Sequence, residues 1–543
     1  MSNAFATSVG SGALTLRDAV AIAAVCEFSG AVLMGGAVTE TIRKGIADVT
    51  QYDTEPEVLM YGMMCVLLAV GTWLLIATKL GMPVSTTHST VGAVMGMSMV
   101  ARGSSSVYWG EATTGTFPWL TGVAKIILAW VLSPVLSATA AATLFVILRA
   151  GVLRSSRPLR AALAAFPVIV SLTTTLNVYL LLSKGTTINS GSDAWPVGLT
   201  VGVAFGTGAI AGVVTAALTP ALRRRVDAIN EAMALEEKEK SDKQRASESP
   251  QTPEVVVSIG VVDGSERPSF EHNTFERRDS FTSFQGGFGT HKVSERGSDG
   301  NSDVDVASDT SGSDAKDKNN FGCQYGVLRD WAMQRLPGYD ETTETVVAND
   351  SKTVQAIHKN AERFDVSAEM LLTYLQVFTA CVDSFAHGAN DVANACGPFA
   401  AIWGIYRTSD VGSNREAPVW ILLVGGFGLV FGLASLGKRI IKQIGMRLSK
   451  ITPSRGLCIE LGAALVVLLG TKYGIPLSTT HCQVGATTGV AMLEGAGGVN
   501  WRLLMKVVFG WCVTLLVAAL AAAAFTAQGL YAPHITRHAI GEL

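Results

Sequence analysis

GMPVSTTHSTVGAVMG, residues 81–96, returns as GIPLSTTHCQVGATTG, residues 474–489, with ten of the sixteen positions identical. In each copy a Gly-x-Pro breaker ends one apolar segment, and a Ser-Thr-Thr run opens the next with an N-cap and side-chain hydroxyls. A helix that starts this way offers unpaired backbone N–H groups and the positive end of its dipole, a combination suited to an anion. One such copy is adequately explained as a helix cap. Two copies in two halves of a chain predict a pair of half-sites built from Ser85, Thr86 and Thr87 and from Ser478, Thr479 and Thr480. A fainter match pairs SNAFATSVGSGALTL (2–16) with ANACGPFAAIWGIY (393–406), so the repeat extends beyond the motif.

Around these copies the composition divides sharply. Only 16% of the 543 residues are charged, against about 25% in a typical soluble chain. Residues 226–368 hold much of that charge, in runs such as SERGSDGNSDVDVASDTSGSDAKDK (294–318), which are too polar to repay the entropy of ordering. The remainder contains apolar segments enough for about eleven membrane segments at roughly 20 residues each. Arg149, Arg154, Arg157 and Arg160, then Arg223 to Arg225, then Lys438 to Arg455 crowd three connections, which the positive-inside rule assigns to the cytoplasm. In that orientation the copy at 81 runs outward and the copy at 474 runs inward. The expected architecture is an all-α polytopic membrane protein of two inverted-topology repeats with broken or re-entrant helices. Its parts are a first membrane half (1–225), a long hydrophilic, cytoplasmic and largely disordered central loop (226–368), and a second membrane half (369–543).

Within the second half, His387-Gly388-Ala389-Asn390-Asp391-Val392-Ala393-Asn394 interrupts an otherwise apolar stretch. A carboxylate at that depth is expensive and therefore a functional candidate. Asp391 with Asn390, Asn394 and carbonyls near the glycine supplies oxygen ligands for a hard monovalent cation. Asp383, eight residues earlier, faces either the site or the cytoplasmic mouth. Glu27 and Glu460 are further buried acids, read either as coupling groups or as acids satisfied by neighbouring hydroxyls. His88 and His481, one turn into the two repeat helices, either relay protons or donate locking hydrogen bonds. A multiply charged anion beside Asp391 would meet like charge at low dielectric, so co-bound cations are required and the two bindings become mutually dependent.

HGANDVANACGPFAA (387–401), the paired G-x-P-x-STTH segments and KITPSRGLCIELGAA (450–464) together resemble the inorganic phosphate transporter (PiT) family over essentially all the membrane residues. The resemblance implies phosphate import coupled to sodium or, in some members, to protons. It assigns the substrate to Ser85, Thr86, Thr87, Asn390, Asp391, Ser478, Thr479 and Thr480. It assigns cation binding and coupling to Asp391, Asn394, Asn3, Glu27 and Glu460, with His88 and His481 behind them. Family members carry a G-A-N-D-type motif in both halves, and Asn3 matches Asn394, so the chain begins just after the first such aspartate. Two readings of this stay open: an upstream start that restores a leading helix, or a product impaired in transport.

Other classes are disfavoured. The net charge of −2 offers no nucleic-acid surface, and there is no Walker loop and no hydrolase or resident-metal motif, so neither enzyme chemistry nor a cofactor is expected. The eight cysteines show no disulfide-like spacing and read as small buried hydrophobes. Arg277-Arg278-Asp279-Ser280 resembles a basophilic kinase site, with Ser280 as acceptor. The expected location is integral to the membrane, taken as the plasma membrane, with oligomeric state left open between monomer and homodimer. A symporter for sulfate or another tetrahedral oxyanion, and a phosphate sensor signalling through the loop, are the rival readings.

Overall fold

A computed structural model describes residues 4–112, 119–183, 196–248, 347–348, 350–411 and 417–532. Asn3, Ser280 and the acidic run at 294–318, all singled out from the sequence, lie outside the described residues. The chain divides into two units, residues 1–237 with 338–543, and residues 238–337, the latter described only as far as Glu248.

Local sequence sets the helix boundaries. Among the described residues the first half comprises α1 (Ala6–Gly10), α2 (Leu16–Met34), α3 (Gly36–Lys44), α4 (Pro56–Lys79), α5 (Thr86–Arg102), α6 (Gly122–Leu148), α7 (Pro158–Leu182) and α8 (Val197–Glu248). After the central segment come α9 (Lys352–Asn360), α10 (Val366–Asp391), α11 (Ala393–Thr408), α12 (Val419–Leu436), α13 (Lys438–Gly445), α14 (Pro453–Lys472), α15 (Thr479–Met492) and α16 (Trp501–Tyr531). Thr15 and Asp18 close a reciprocal capping box on α2. Asp365 accepts from the Ala368 N–H to start α10, and Asn500 does the same for Leu503 in α16.

Among the described residues, seven helices are long and apolar enough to cross a membrane, or eight if α2 and α3, bent by 59°, count as one. Hydropathy alone predicts about eleven segments. The difference falls on the segments that carry polar motifs. α5 and α15 have 17 and 14 residues, less than a bilayer thickness, and the apolar stretch that carries His387 to Asn394 is two helices broken at Val392. α14 stands apart from the other spans: 83% of its apolar stretch is buried, against 22 to 39% for the rest. It is the most buried of these spans.

Packing follows a pattern that repeats between the halves. Gly92 and Gly96 bring α5 so close to α16 that an added Cβ would lie 2.5 and 2.1 Å from the Leu515 and Ala519 carbonyl oxygens. Gly485 and Gly489 do the same for α15 on α6, with 2.3 and 2.5 Å to the Pro134 and Ala138 carbonyls. These are the same two positions of the sixteen-residue repeat, and small residues four apart are what lets membrane helices approach in the absence of a hydrophobic driving force. Each short helix is thereby clamped to a long helix of the other half.

The edges of the hydrophilic insert depart from the expected disorder. α8 continues past residue 225 to Glu248, and α9 lies within the region assigned to the loop. For α9 the reason is tertiary: it buries Val354 and Ile357, Asp350 pairs with Arg447 at 2.5 Å, and His358 Nε2 donates to the Met446 carbonyl at 2.9 Å. Glu362 pairs with Arg149 and, at 3.0 Å, with Arg154. Arg455, 1% exposed, reaches Glu494 at 2.5 Å and lies over the rings of Phe145 and Phe364. Cys65, Cys396, Cys458 and Cys482 are buried as expected of small hydrophobes, but Cys26 and Cys381 are half-buried and Cys512 is exposed.

Candidate functional site

Two breaker sequences build the site. α4 ends at Lys79, Gly81 takes φ +68°, and after Pro83 the chain re-enters the helical state with Ser85 accepting from the His88 N–H at 3.2 Å. α14 ends at Lys472, Gly474 takes φ +59°, and Ser478 accepts from the His481 N–H at 3.3 Å. The positive φ is a conformation glycine adopts without penalty. Both serines therefore serve as N-caps, which leaves the threonines to face one another.

They do so reciprocally. The Thr87 hydroxyl donates to the Leu477 carbonyl at 2.9 Å, and the Thr480 hydroxyl donates to the Val84 carbonyl at 3.4 Å. Thr87 and Thr480 occupy one repeat position, and Val84 and Leu477 occupy another. Each tip thus satisfies a carbonyl that its partner's breaker freed.

The end of α10 closes over this junction. Asn390 Nδ2 donates to the Leu477 carbonyl at 2.8 Å and to Asp391 Oδ1 at 3.1 Å, while the Thr479 hydroxyl donates to Asp391 Oδ2 at 2.9 Å. Across the break, Asn394 Nδ2 donates to the hydroxyl oxygens of Thr86 at 3.0 Å and Thr87 at 3.4 Å. Thr86, Thr87, Asn390, Asp391, Thr479 and Asn394 are thereby linked, directly or through the Leu477 carbonyl, while Ser85, Ser478 and Thr480 bond to His88, His481 and Val84 beside them. Of the eight residues predicted to hold substrate and Asn394, Thr86 is half-buried and the rest are buried. A cavity of about 390 Å³ reaches Thr86, Asp391, Thr479 and Thr480 between apolar walls that include Leu74 and Leu433.

The two buried glutamates differ. Glu460 accepts from the hydroxyls of Thr7 (2.8 Å) and Ser8 (2.5 Å) and from Gln376 Nε2 (3.2 Å) at Oε1, and from Thr379 (2.5 Å) at Oε2. It is the satisfied acid that one of the two sequence readings describes. Glu27, fully buried on α2, has no hydrogen-bond partner on either oxygen among the described residues. Its backbone carbonyl lies against Gly388, where a Cβ would come within 2.0 Å, so α2 and α10 meet directly beside the Asp391 motif.

Asp383 is fully buried, with its Oδ1 3.6 Å from His387 Nε2, and His387 Nδ1 lies 4.0 Å from Asp391 Oδ2. Both face inward along α10. His88 stacks on Trp130 with ring centroids 3.7 Å apart, His481 lies 3.7 Å from Trp511, and the two imidazoles are 4.6 Å apart. His481 Nδ1 is 2.9 Å from the Trp130 carbonyl, the locking contact, which puts the proton on that nitrogen.

Thr7, Ser8, Gln376, Thr379, Trp130 and Trp511 are residues of the site that the sequence reading misses. A signal exists for the tryptophans: KIILAW (125–130) and KVVFGW (506–511) are a second, shorter repeat after each tip. Gln376 in an apolar stretch is likewise visible as an intramembrane polar group. Nothing in the sequence links Thr7 and Ser8 to Glu460, since that pairing exists only once distant segments pack.

The chain as a whole is similar to known proteins. The family described as "Phosphate transporter family" matches residues 1–522. A zebrafish (Danio rerio) relative named "Sodium-dependent phosphate transporter 1-A" is 32% identical, covering 98% of this chain and 92% of its own. A Neurospora crassa relative named "Phosphate-repressible phosphate permease pho-4" is 31% identical, covering 95% and 92%. A solved structure titled "The sodium-dependent phosphate transporter" superposes with a TM-score of 0.62 at 27% identity, covering 97% of this chain and 92% of that one.

Proposed function

Because the chain belongs to the phosphate transporter family, we propose that it imports inorganic phosphate by symport with a monovalent cation, sodium in the first instance, through alternating access between two inverted repeats. The observation that carries this is the reciprocal pair of hydrogen bonds joining the two Ser-Thr-Thr tips beside Asp391. Two helix N-termini converge there, and their dipoles and threonine hydroxyls favour a tetrahedral oxyanion. Asp391, with the side-chain oxygens of Asn390 and Asn394, favours the accompanying cation. Neither ion is stable there alone: the anion would face Asp391, and the cation would face two positive dipole ends. Their joint binding neutralises both, which is the thermodynamic condition for coupled movement.

The inverted repeat is supported by matched contacts. α5 packs on α16 as α15 packs on α6, through glycines at equal repeat positions, and α5 and α15 extend from the junction to ends with different neighbours. Arg102 near the end of α5 pairs with Glu55, and Leu493 after α15 accepts from Arg149. The second of these ends carries the arginine-rich connections, assigned to the cytoplasm, with the plasma membrane as the location. Glu27 is the coupling acid that has no donor among the described residues, whereas Glu460 positions α1, α10 and α14 against one another.

Proteoliposome uptake of labelled phosphate, with sodium and pH gradients imposed separately, tests the proposal. Sodium-driven accumulation that excess sulfate does not compete away is the expected result. Accumulation driven by the pH gradient alone would replace sodium with the proton, and equal competition by sulfate would defeat the assignment to phosphate.

A further inference from the structure

Away from the transport site, a second cavity of about 230 Å³ lies where the first turn of α7 meets α8 and the start of α10. Arg157, Arg160 and Arg223 line it, together with Leu163, Asp365 and Ser367. The one carboxylate among its lining residues is occupied: Asp365 accepts from the Ala368 N–H at 2.9 Å as the N-cap of α10. Ser367 is held by Asn230 Nδ2 at 2.9 Å. Arg157 and Arg160 form no ion pair among the described residues, and Arg223 reaches Asp227 at 3.8 Å with both side chains more than half exposed, a weak surface pair. Three arginines thus line the cavity with one carboxylate that is already engaged. α7 starts at Pro158 with no side-chain cap, so the orphan N–H groups of its first turn add positive potential at the same wall.

The depth of this cavity is informative. On α7, Val168 and Leu172 are 56% and 64% exposed, and on α8, Val213 and Leu218 are 69% and 54% exposed. These apolar faces run up to the cavity, Leu218 standing little more than a turn before Arg223, beyond which the sequence of α8 turns predominantly polar and charged. The arginines therefore sit at the level of lipid headgroups, where the acyl-facing surface gives way to charge. Guanidinium forks match phosphate oxygens bidentately.

We propose that this cavity binds a phosphomonoester carried on a membrane lipid, a site separate from the transport site. Asp365 and Asp391 lie at opposite ends of one helix, about 39 Å apart at 1.5 Å per residue, so occupancy of the cavity bears on the cytoplasmic start of the helix that carries the coupling aspartate. Free phosphate is the alternative source of the same chemistry.

The test titrates the purified full chain in detergent with a fluorescent short-chain phosphoinositide, with its isolated inositol phosphate headgroup, and with inorganic phosphate. Saturable binding of the lipid is expected. Arg157→Gln, Arg160→Gln and Arg223→Gln are each expected to weaken it about fivefold, and the triple variant on the order of a hundredfold. Arg224→Gln, the same charge change beside the cavity but outside its lining, is expected to leave it unchanged. Phosphate uptake in vesicles lacking phosphoinositide should persist in all four single variants, which reports their folding even if the triple variant fails to insert. Absence of saturable lipid binding, or an Arg224→Gln loss equal to the others, would overturn the site. Binding of inorganic phosphate as tight as that of the lipid, with the same arginine dependence, would overturn the lipid source.

Discussion

Replacing Asp391 by Asn preserves shape and removes one charge, so its effect can be worked from the contacts. The carboxylate accepts on both oxygens, from Asn390 Nδ2 at 3.1 Å and from the Thr479 hydroxyl at 2.9 Å. An asparagine has one acceptor oxygen, so one of these donors must face an amide nitrogen. Losing a hydrogen bond to a charged group costs about 1.5–3 kcal/mol. Loss of attraction for the bound cation costs more. A unit charge about 4 Å away interacts with the carboxylate by about 4 kcal/mol at an effective dielectric constant of 20, which corresponds to roughly a thousandfold in cation affinity. Sodium titration of phosphate uptake in proteoliposomes is the assay, with thermal unfolding of the purified protein as the control. The expected result is loss of coupled uptake over any practical sodium range, with the protein still inserted and folded. Wild-type uptake with an unchanged sodium midpoint would refute the assigned role of Asp391 and the charge balance that rests on it.

Three further outcomes follow from separate contacts. Thr87→Val removes the donor to the Leu477 carbonyl while Asn390 still satisfies that oxygen, so the expected stability loss is only about 1 kcal/mol, and a double-mutant cycle with Asn390→Ala should be non-additive. Gly489→Leu places a side chain where a Cβ already lies 2.5 Å from the Ala138 carbonyl; separation of α15 from α6 should cost about 1–3 kcal/mol, read as a lowered unfolding temperature. At the edge of the insert, burial pushes the Glu362 carboxyl up, but the hydrogen bond and charge of Arg154 and the charge of Arg149 outweigh it and hold the group below its ordinary range. A depressed acid contributes stability above its unfolded pKa, about 4.3, and loses it as pH falls through the folded value; Glu362→Gln should flatten that acid limb in thermal unfolding measured against pH.

The repeated Gly-x-Pro-x-Ser-Thr-Thr-His motif is sufficient to locate the site, because each of its residues has a local duty. The glycine takes a positive φ, the proline ends the preceding helix, and the serine caps the next one. Those duties depend on near neighbours in the chain, and all of them are met at 81–88 and at 474–481. Asp391 is legible for a different reason: a carboxylate in an apolar stretch is costly wherever the chain goes. Hydropathy counts apolar segments rather than crossings: α5 and α15, at 17 and 14 residues, are apolar enough to be counted but shorter than any of the seven spanning helices. The polar composition at 350–365 suggests disorder, whereas its ion pairs with Arg149, Arg154 and Arg447 come from segments remote in sequence.

By itself, then, the order of residues determined that this is a membrane protein carrying one sixteen-residue motif twice, which side chains are candidates to hold the ions, and where the helices beside the motif start and stop, since each of these depends on hydropathy or on contacts within a few residues. Tertiary structure alone decided that Thr87 and Thr480 bond reciprocally across the two tips, that Glu460 is satisfied by Thr7, Ser8, Gln376 and Thr379 while Glu27 finds no such donor among the described residues, and that the histidines stack between Trp130 and Trp511. Those facts depend on which distant helices the glycine positions allow to touch, and the distance of closest approach between two helices is not a property of either sequence alone.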